Sequence, residues 1–164
     1  MTEALQTAAG DSIIRRARPT DLDAILGLLA DDPISASRGD TARAEDRPAY
    51  ERAFAAIEAD PAHQLLVVVV AGEVVGTMQL TVIPGLARRG ASRLQIEAVR
   101  VRSDSRNLGI GAAMIRWAVS KAPALGVTLV QLTSDAARVD AHRFYERLGF
   151  SGSHVGFKLT VPAG

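Results

Sequence analysis

The stretch VRVRSDSRNLGIGAAMIRWA, Val99 to Ala118, decides how the rest of the chain reads. It begins as a strand and passes through a short polar loop carrying Arg102 and Arg106. It continues as a helix opened by Gly109 and Gly111, with Ile110, Ala113, Met114, Trp117 and Ala118 on one apolar face. The first turn of a helix has backbone N–H groups without internal partners and a partial positive charge. Glycines there let a phosphate approach the backbone with no Cβ in the way. The junction therefore reads as an anion cradle, most naturally for a pyrophosphate. The plainer alternative is that the two glycines permit a tight turn and close helix–sheet packing. A nucleotide-triphosphate loop of the Walker type is disfavoured, because no lysine stands near Gly111. A dinucleotide fingerprint fails at its third glycine, where this chain has Met114.

Outward from this junction the pattern is that of one α/β domain. Toward the N-terminus, Ser92 to Val101 reads as a strand, with Leu94, Ile96 and Ala98 on one face and Gln95, Glu97, Val99 and Val101 on the other. Gln64 to Ala71 and Val74 to Ile83 form a hairpin about Gly72-Glu73, and PGLARRG (84–90) is a loop. Leu22, Ile25, Leu26 and Leu29 mark one helix; Tyr50, Phe54 and Ile57 mark another, ended by Asp60-Pro61. Ser12 to Arg18 is a first strand, and residues 1–12 are small, polar and expected to fray, leaving 13–164 as the folded domain. Toward the C-terminus, Thr128 to Thr133 is a strand and Val139 to Leu148 a helix. Phe150 to Val161 is expected to supply one or two final strands.

Composition narrows the function. The chain has 164 residues, 48% hydrophobic and 23% charged, with a net charge of +1 and no basic block, which makes nucleic acid a poor partner. It has no cysteine, so thiolate nucleophiles and Cys-based zinc sites are excluded; its three histidines are far apart, and no metal is expected. No apolar run approaches a membrane span, the N-terminus lacks the pattern of a signal peptide, and the expected location is the cytoplasm.

Arg106-Asn107-Leu108-Gly109-Ile110-Gly111 matches Arg/Gln-x-x-Gly-x-Gly/Ala and so resembles the coenzyme A loop of the GNAT superfamily of N-acetyltransferases. IEAVRV (96–101) resembles that family's fourth strand and TLVQLTS its fifth. AHRFYERLGF (141–150) is similar to its Ala-x-x-Phe-Tyr-x-x-x-Gly-Phe signature. The resemblance implies a GNAT-like α/β (α+β) fold: a mixed, twisted central sheet flanked by helices, with a splayed cleft between the fourth and fifth strands. It implies that acetyl-CoA is the co-substrate. Its pantetheine arm would bond backbone groups at Val99 and Val101. Its pyrophosphate would lie on Arg106, Asn107, Leu108, Gly109, Ile110, Gly111 and Ala112. The family often has Asn where this chain has Arg138, which leaves that contact open.

The implied activity is transfer of acetyl to a primary amine, on a small molecule or a peptide, by direct attack in a ternary complex. An amine of pKa about 10.4 is only about 0.04% neutral at pH 7, a deficit near 4.6 kcal/mol. Glu97, mid-strand beside the implied cleft, is the candidate base, directly or through water; its alternative is an ordinary polar strand residue. The resemblance makes Tyr145 the general acid for the departing thiolate, and gives the oxyanion a backbone N–H near Val99, at a bulge in the splayed strand that the residues themselves do not show. His142 is expected to bond locally, and His63 and His154 to stand without a catalytic partner set. The acceptor pocket is expected to draw on 35–47, on PGLARRG and on the region of Asp135. Asp31, Asp32 and Asp135 suit a cation there, and Arg88 and Arg89 an anion. The competing class is a non-catalytic acyl-CoA-binding sensor or interaction module of the same fold. Homodimers are common in the family, but no residue pattern here fixes the oligomeric state.

Overall fold

The computed structural model describes residues 2–36, 39 and 42–161. In chain order the elements are β1 (Thr2–Leu5), β2 (Ser12–Arg16), α1 (Leu22–Ala30), α2 (Pro33–Ala36), α3 (Arg47–Ala59), β3 (His63–Val70), β4 (Glu73–Ile83), α4 (Ala87–Gly90), β5 (Arg93–Val101), α5 (Ile110–Lys121), β6 (Leu129–Leu132) and α6 (Val139–Arg147). They fall into two compact units, one ending at Leu132 and the other starting at Thr133.

The first unit is built on a six-stranded mixed sheet in the order β1-β2-β3-β4-β5-β6. All pairs are antiparallel except β5 and β6, which run parallel. The sheet thus has the mixed topology expected, but with one strand more at its start. Thr2–Leu5, expected to fray, pairs with Ser12–Arg15. Side chains hold it there: Glu3 accepts from Trp117 Nε1 at 2.9 Å and from Lys121 Nζ at 2.6 Å, both on α5. The expected fourth and fifth strands are consequently β5 and β6.

One sheet face packs on α5. Val68, Gly76 and Val101 share this face by register, and a Cβ on Gly76 would meet Met114 Sδ and Arg100 O at 3.2 Å. A larger residue there would have to push the Arg100 carbonyl and the Met114 side chain back by a few tenths of an ångström. Leu66, Met78, Leu80, Ile96, Ile110, Met114 and Ile115 are all at most 1% exposed; each such side chain contributes roughly 1.5–3 kcal/mol on burial. The opposite face carries Leu65 against Leu22, Leu26 and Phe54 of α1 and α3. At the entry to α1, Arg15 donates to both Asp21 oxygens (2.6 and 2.9 Å) and the Arg18 N–H adds a third bond at 2.7 Å. The Arg15 guanidinium holds the Asp21 carboxyl below the usual carboxylate range.

β5 departs from simple alternation. Gln79 pairs with Glu97, yet Thr77 pairs with Arg100 and Gly76 with Val101, so β5 has one residue more than β4 over this span. The bulge lies at Ala98, whose φ of 51° is left-handed. Beyond it the faces exchange: Val99 and Val101 turn to the side of Gly76 and α5, away from Glu97. The expected grouping of Glu97, Val99 and Val101 on one face is therefore corrected by the register.

The second unit contains α6, and no strand lies among its described residues. The final strands expected from Phe150 to Val161 are absent over that range. Val155, Phe157, Leu159 and Val161 alternate as a strand would, yet are 79, 93, 89 and 78% exposed. Alternation supplies an apolar face, but a strand also needs neighbouring backbone to accept its hydrogen bonds. Among the described residues no helix is long and apolar enough to cross a membrane.

Candidate active site

The bulged strand leads directly into the junction picked out from the sequence. β5 pairs with β6 from Arg93↔Leu129 to Ile96↔Leu132, and the pairing stops there while β5 runs on to Val101. Residues 97–101 are thus without a β6 partner. Arg102 donates its backbone N–H to Val75 O at 2.8 Å, toward β4. Alternation then turns the N–H groups of Val99 and Val101 away from β4. Their carbonyls are already engaged: Arg100 Nη1 donates to Val99 O at 2.8 Å, and Arg106 Nε to Val101 O at 3.2 Å. Arg100 carried no signal in the sequence beyond its place next to Val99.

A single 3-10 turn (Ser103–Ser105) joins β5 to the loop before α5. Arg106, the expected phosphate neighbour, pairs with Asp31 at 3.3 Å, and Asp31 also accepts from the Ser103 N–H at 3.1 Å. Arg102 is bound instead to Asp104 at 2.7 Å, whose carboxyl is held below its usual range by that bond. Asn107 and Gly109 are left-handed (φ 63° and 79°) on either side of Leu108. Leu108 O accepts from the Ala8 N–H at 2.9 Å. Gly109 is the N-cap of α5 and has no side-chain cap; a Cβ there would meet nothing within 4 Å. The first intrahelical bond runs from Ala113 N to Gly109 O, so the N–H groups of Ile110, Gly111 and Ala112 have no partner within the helix. Left-handed turns before an uncapped helix make a concave set of N–H donors. These residues fit a pyrophosphate, with open space above Gly109 and a guanidinium beside it.

Glu97 is exposed, opposite Gln79, with no ion pair or hydrogen bond to the described residues. Gln95, two positions earlier, is buried and accepts from Gln131 Nε2 at 2.7 Å, tying β5 to β6. The acidic residues considered for a cationic acceptor are engaged elsewhere. Asp31 binds Arg106, and Asp32 lies 4.0 Å from Arg100 Nε. Part of the 35–47 stretch lies outside the described residues. The 84–90 loop contains α4, a single turn in which Arg88 and Arg89 are both left-handed (φ 54° and 62°).

In the second unit, Tyr145 on α6 sits edge-on to Phe144 (5.1 Å) and Phe150 (6.0 Å). His142 bonds locally, as expected: its Nε2 lies 2.8 Å from Asp135 O. The Asp135 carboxylate accepts from the Ala137 N–H at 2.9 Å. His63, read from the sequence as a loop residue after Asp60-Pro61, lies instead in a strand. It opens β3 and stands between Thr81 Oγ1 (2.9 Å) and Asp60 (3.6 Å). Among the described residues no group of three or more His, Asp or Glu is placed to hold a metal.

Residues 27–150 match the sequence model of the Acetyltransferase (GNAT) family. The aminoalkylphosphonate N-acetyltransferase of Salmonella typhimurium is 32% identical over 116 residues, 71% of this chain and 75% of that protein. A structure described as a transcriptional regulator from Bacillus halodurans is 40% identical and superimposes with a TM-score of 0.83. It covers 90% of this chain and 98% of its own. The glucosamine-6-phosphate N-acetyltransferase of Arabidopsis thaliana, 20% identical, shares the fold. Its TM-score is 0.74, over 92% of this chain and 99% of its own.

Proposed function

The chain belongs to the GNAT acetyltransferase family, and from that premise we propose how its own residues divide the work of an acyl-CoA-dependent N-acetyltransferase. The family uses acetyl-CoA, and an amine is the acceptor. The observation that carries the assignment is the Ala98 bulge. It turns the N–H groups of Val99 and Val101 to the unpaired side of β5, immediately before the donors at Asn107 to Ala112. The pantetheine amides would add to the backbone of Val99 and Val101, and the pyrophosphate would lie on Asn107, Leu108, Gly109, Ile110, Gly111 and Ala112 beside Arg106.

In the chemical step, Glu97 takes the proton lost by the amine as its nitrogen bonds to the thioester carbon. The exposure of Glu97 allows one water to relay that proton. The Val99 N–H donates to the carbonyl oxygen as negative charge gathers there. Tyr145 gives its hydroxyl proton to the sulfur as the C–S bond breaks. The acceptor is a primary amine that also carries an anionic group, as an aminoalkylphosphonate does, because Arg88 and Arg89 stand at the loop expected to border the acceptor.

Release of free CoA thiol across a panel of amines tests the activity, and the Glu97→Gln variant tests the base. Its rate loss should be largest at low pH and shrink as pH rises, because more acceptor is then neutral without help. A loss that is flat across pH would assign Glu97 to positioning, and no thiol release with any amine would overturn the proposed activity.

A further inference from the structure

The groove between the 84–92 loop and β6 is lined by two arginines. It is open to solvent, has a volume of about 390 Å³, and is lined by Arg88, Ser92, Arg93, Thr128, Leu129 and Gln131. Several arginines elsewhere are paired: Arg15 with Asp21, Arg47 with Asp23, Arg100 with Asp32, Arg102 with Asp104 and Arg106 with Asp31. The Arg88 and Arg93 guanidiniums have no ion pair or hydrogen bond among the described residues. Two unneutralised guanidiniums beside a hydroxyl and an amide are a recognition set for phosphonate, phosphate or carboxylate.

The register connects this groove to Glu97. Arg93, Gln95 and Glu97 occupy alternate positions of β5 ahead of the bulge, so they share one sheet face. Gln131 lies opposite Gln95, and the bonded pair forms a polar floor between the two ends. Arg93 and Glu97 are four steps apart along the strand, about 13 Å. The Arg93 guanidinium leans away from Glu97, toward the loop; its Nη1 lies 3.7 Å from the position of a Cβ built on Gly85. Allowing about 3 Å of contact at each end, a bridging molecule would span roughly 7–10 Å. An extended chain advances about 1.3 Å per bond, so its amine and its anionic group would stand six to eight bonds apart.

We propose that Arg93 and Arg88 form the anion subsite of the acceptor, and that the spacing from Glu97 selects amines whose anionic group lies six to eight bonds away. The proposal rests on the acetyl-transfer reading of Glu97, and it adds a length rule to the acceptor class.

The test is a series of ω-aminoalkylphosphonates with two to seven carbons, each against the alkylamine of equal length, with acetyl-CoA held saturating. The phosphonate should be favoured at least tenfold in kcat/KM, mainly through KM, with the maximum at five to seven carbons. Arg93→Gln should reduce that preference to below twofold. Arg88→Asn, which retains a residue tolerant of left-handed backbone, should reduce it at least threefold. A maximum at two carbons, no preference at any length, or a preference untouched in both variants would overturn the proposal.

Hexylphosphonate, which has no amine to acetylate, separates this proposal from the activity itself. Calorimetry should show it binding the wild type at least fivefold more tightly than either folded variant. If no amine releases thiol but this difference is found, the acetyl-transfer reading fails and the anion site stands. If hexylphosphonate does not bind the wild type, the anion site fails.

Discussion

Tyr145 touches Phe144 and Phe150 through its ring edges, so replacing it by phenylalanine keeps the aromatic cluster and removes only a hydroxyl. A thiolate of pKa about 8.5 and a phenol near 10 make proton transfer uphill by about 2 kcal/mol in water. It becomes feasible as charge builds on sulfur, where a hydrogen bond to an anion is strengthened. Such an interaction belongs to the transition state and should appear in kcat. Tyr145→Phe is expected to lower kcat by roughly 10²- to 10⁴-fold. The acetyl-CoA dissociation constant should change less than about threefold. Steady-state kinetics with an equilibrium titration measures both, and an unchanged kcat with several amines would remove Tyr145 from the chemistry. At this scale the sequence exposed residue types and their spacing, but not their partners. Arg106 was legible as a candidate; its bond to Asp31, 75 residues away, was not, because one carboxylate in a polar loop resembles any other. Arg93 was legible only in hindsight, by counting alternate positions back from Glu97.

The elements were legible where hydrophobic periodicity and local punctuation agreed. α1, α3, α5, α6, the β3–β4 hairpin, β5 and β6 all stand close to the expected places. β1 was missed because Thr2–Leu5 has little pattern of its own, and only Leu5 is buried. Its anchorage comes from Trp117 and Lys121, more than a hundred residues later. The bulge, implied near Val99 by the family resemblance, left no mark in the residues themselves, because Ala98 fits strand alternation and is neither Gly nor Asn, the residues that usually announce left-handed backbone. Its conformation is imposed by the register on β4 and stores strain on the order of 1–3 kcal/mol. Two substitutions separate strain from function. Ala98→Gly relieves the strain but adds chain entropy, and should leave stability within about 1 kcal/mol of wild type. Ala98→Val puts a β-branched residue in left-handed backbone and should destabilise by about 1–3 kcal/mol in urea denaturation.

For the molecule as a whole, ligand binding is linked to unfolding. Acetyl-CoA at 100 times its dissociation constant should add about 2.7 kcal/mol of stability, and NAD or ATP at equal concentration much less. Gly111→Asp should abolish this gain by setting a carboxylate against phosphate, while thermal unfolding without ligand remains cooperative. A folded variant with an undiminished gain would place the cofactor elsewhere. The unpaired half of β5 has a further consequence for exchange with deuterated water. Amides at Arg100 and Arg102 face β4 and should exchange slowly, while those at Val99 and Val101 face away and should exchange fast. Within four consecutive residues, protection should therefore alternate like the teeth of a comb. Acetyl-CoA should fill only the gaps, slowing Val99 and Val101 and leaving their neighbours nearly unchanged. A uniform slowing of all four would instead report a strand that is stiffened without being paired.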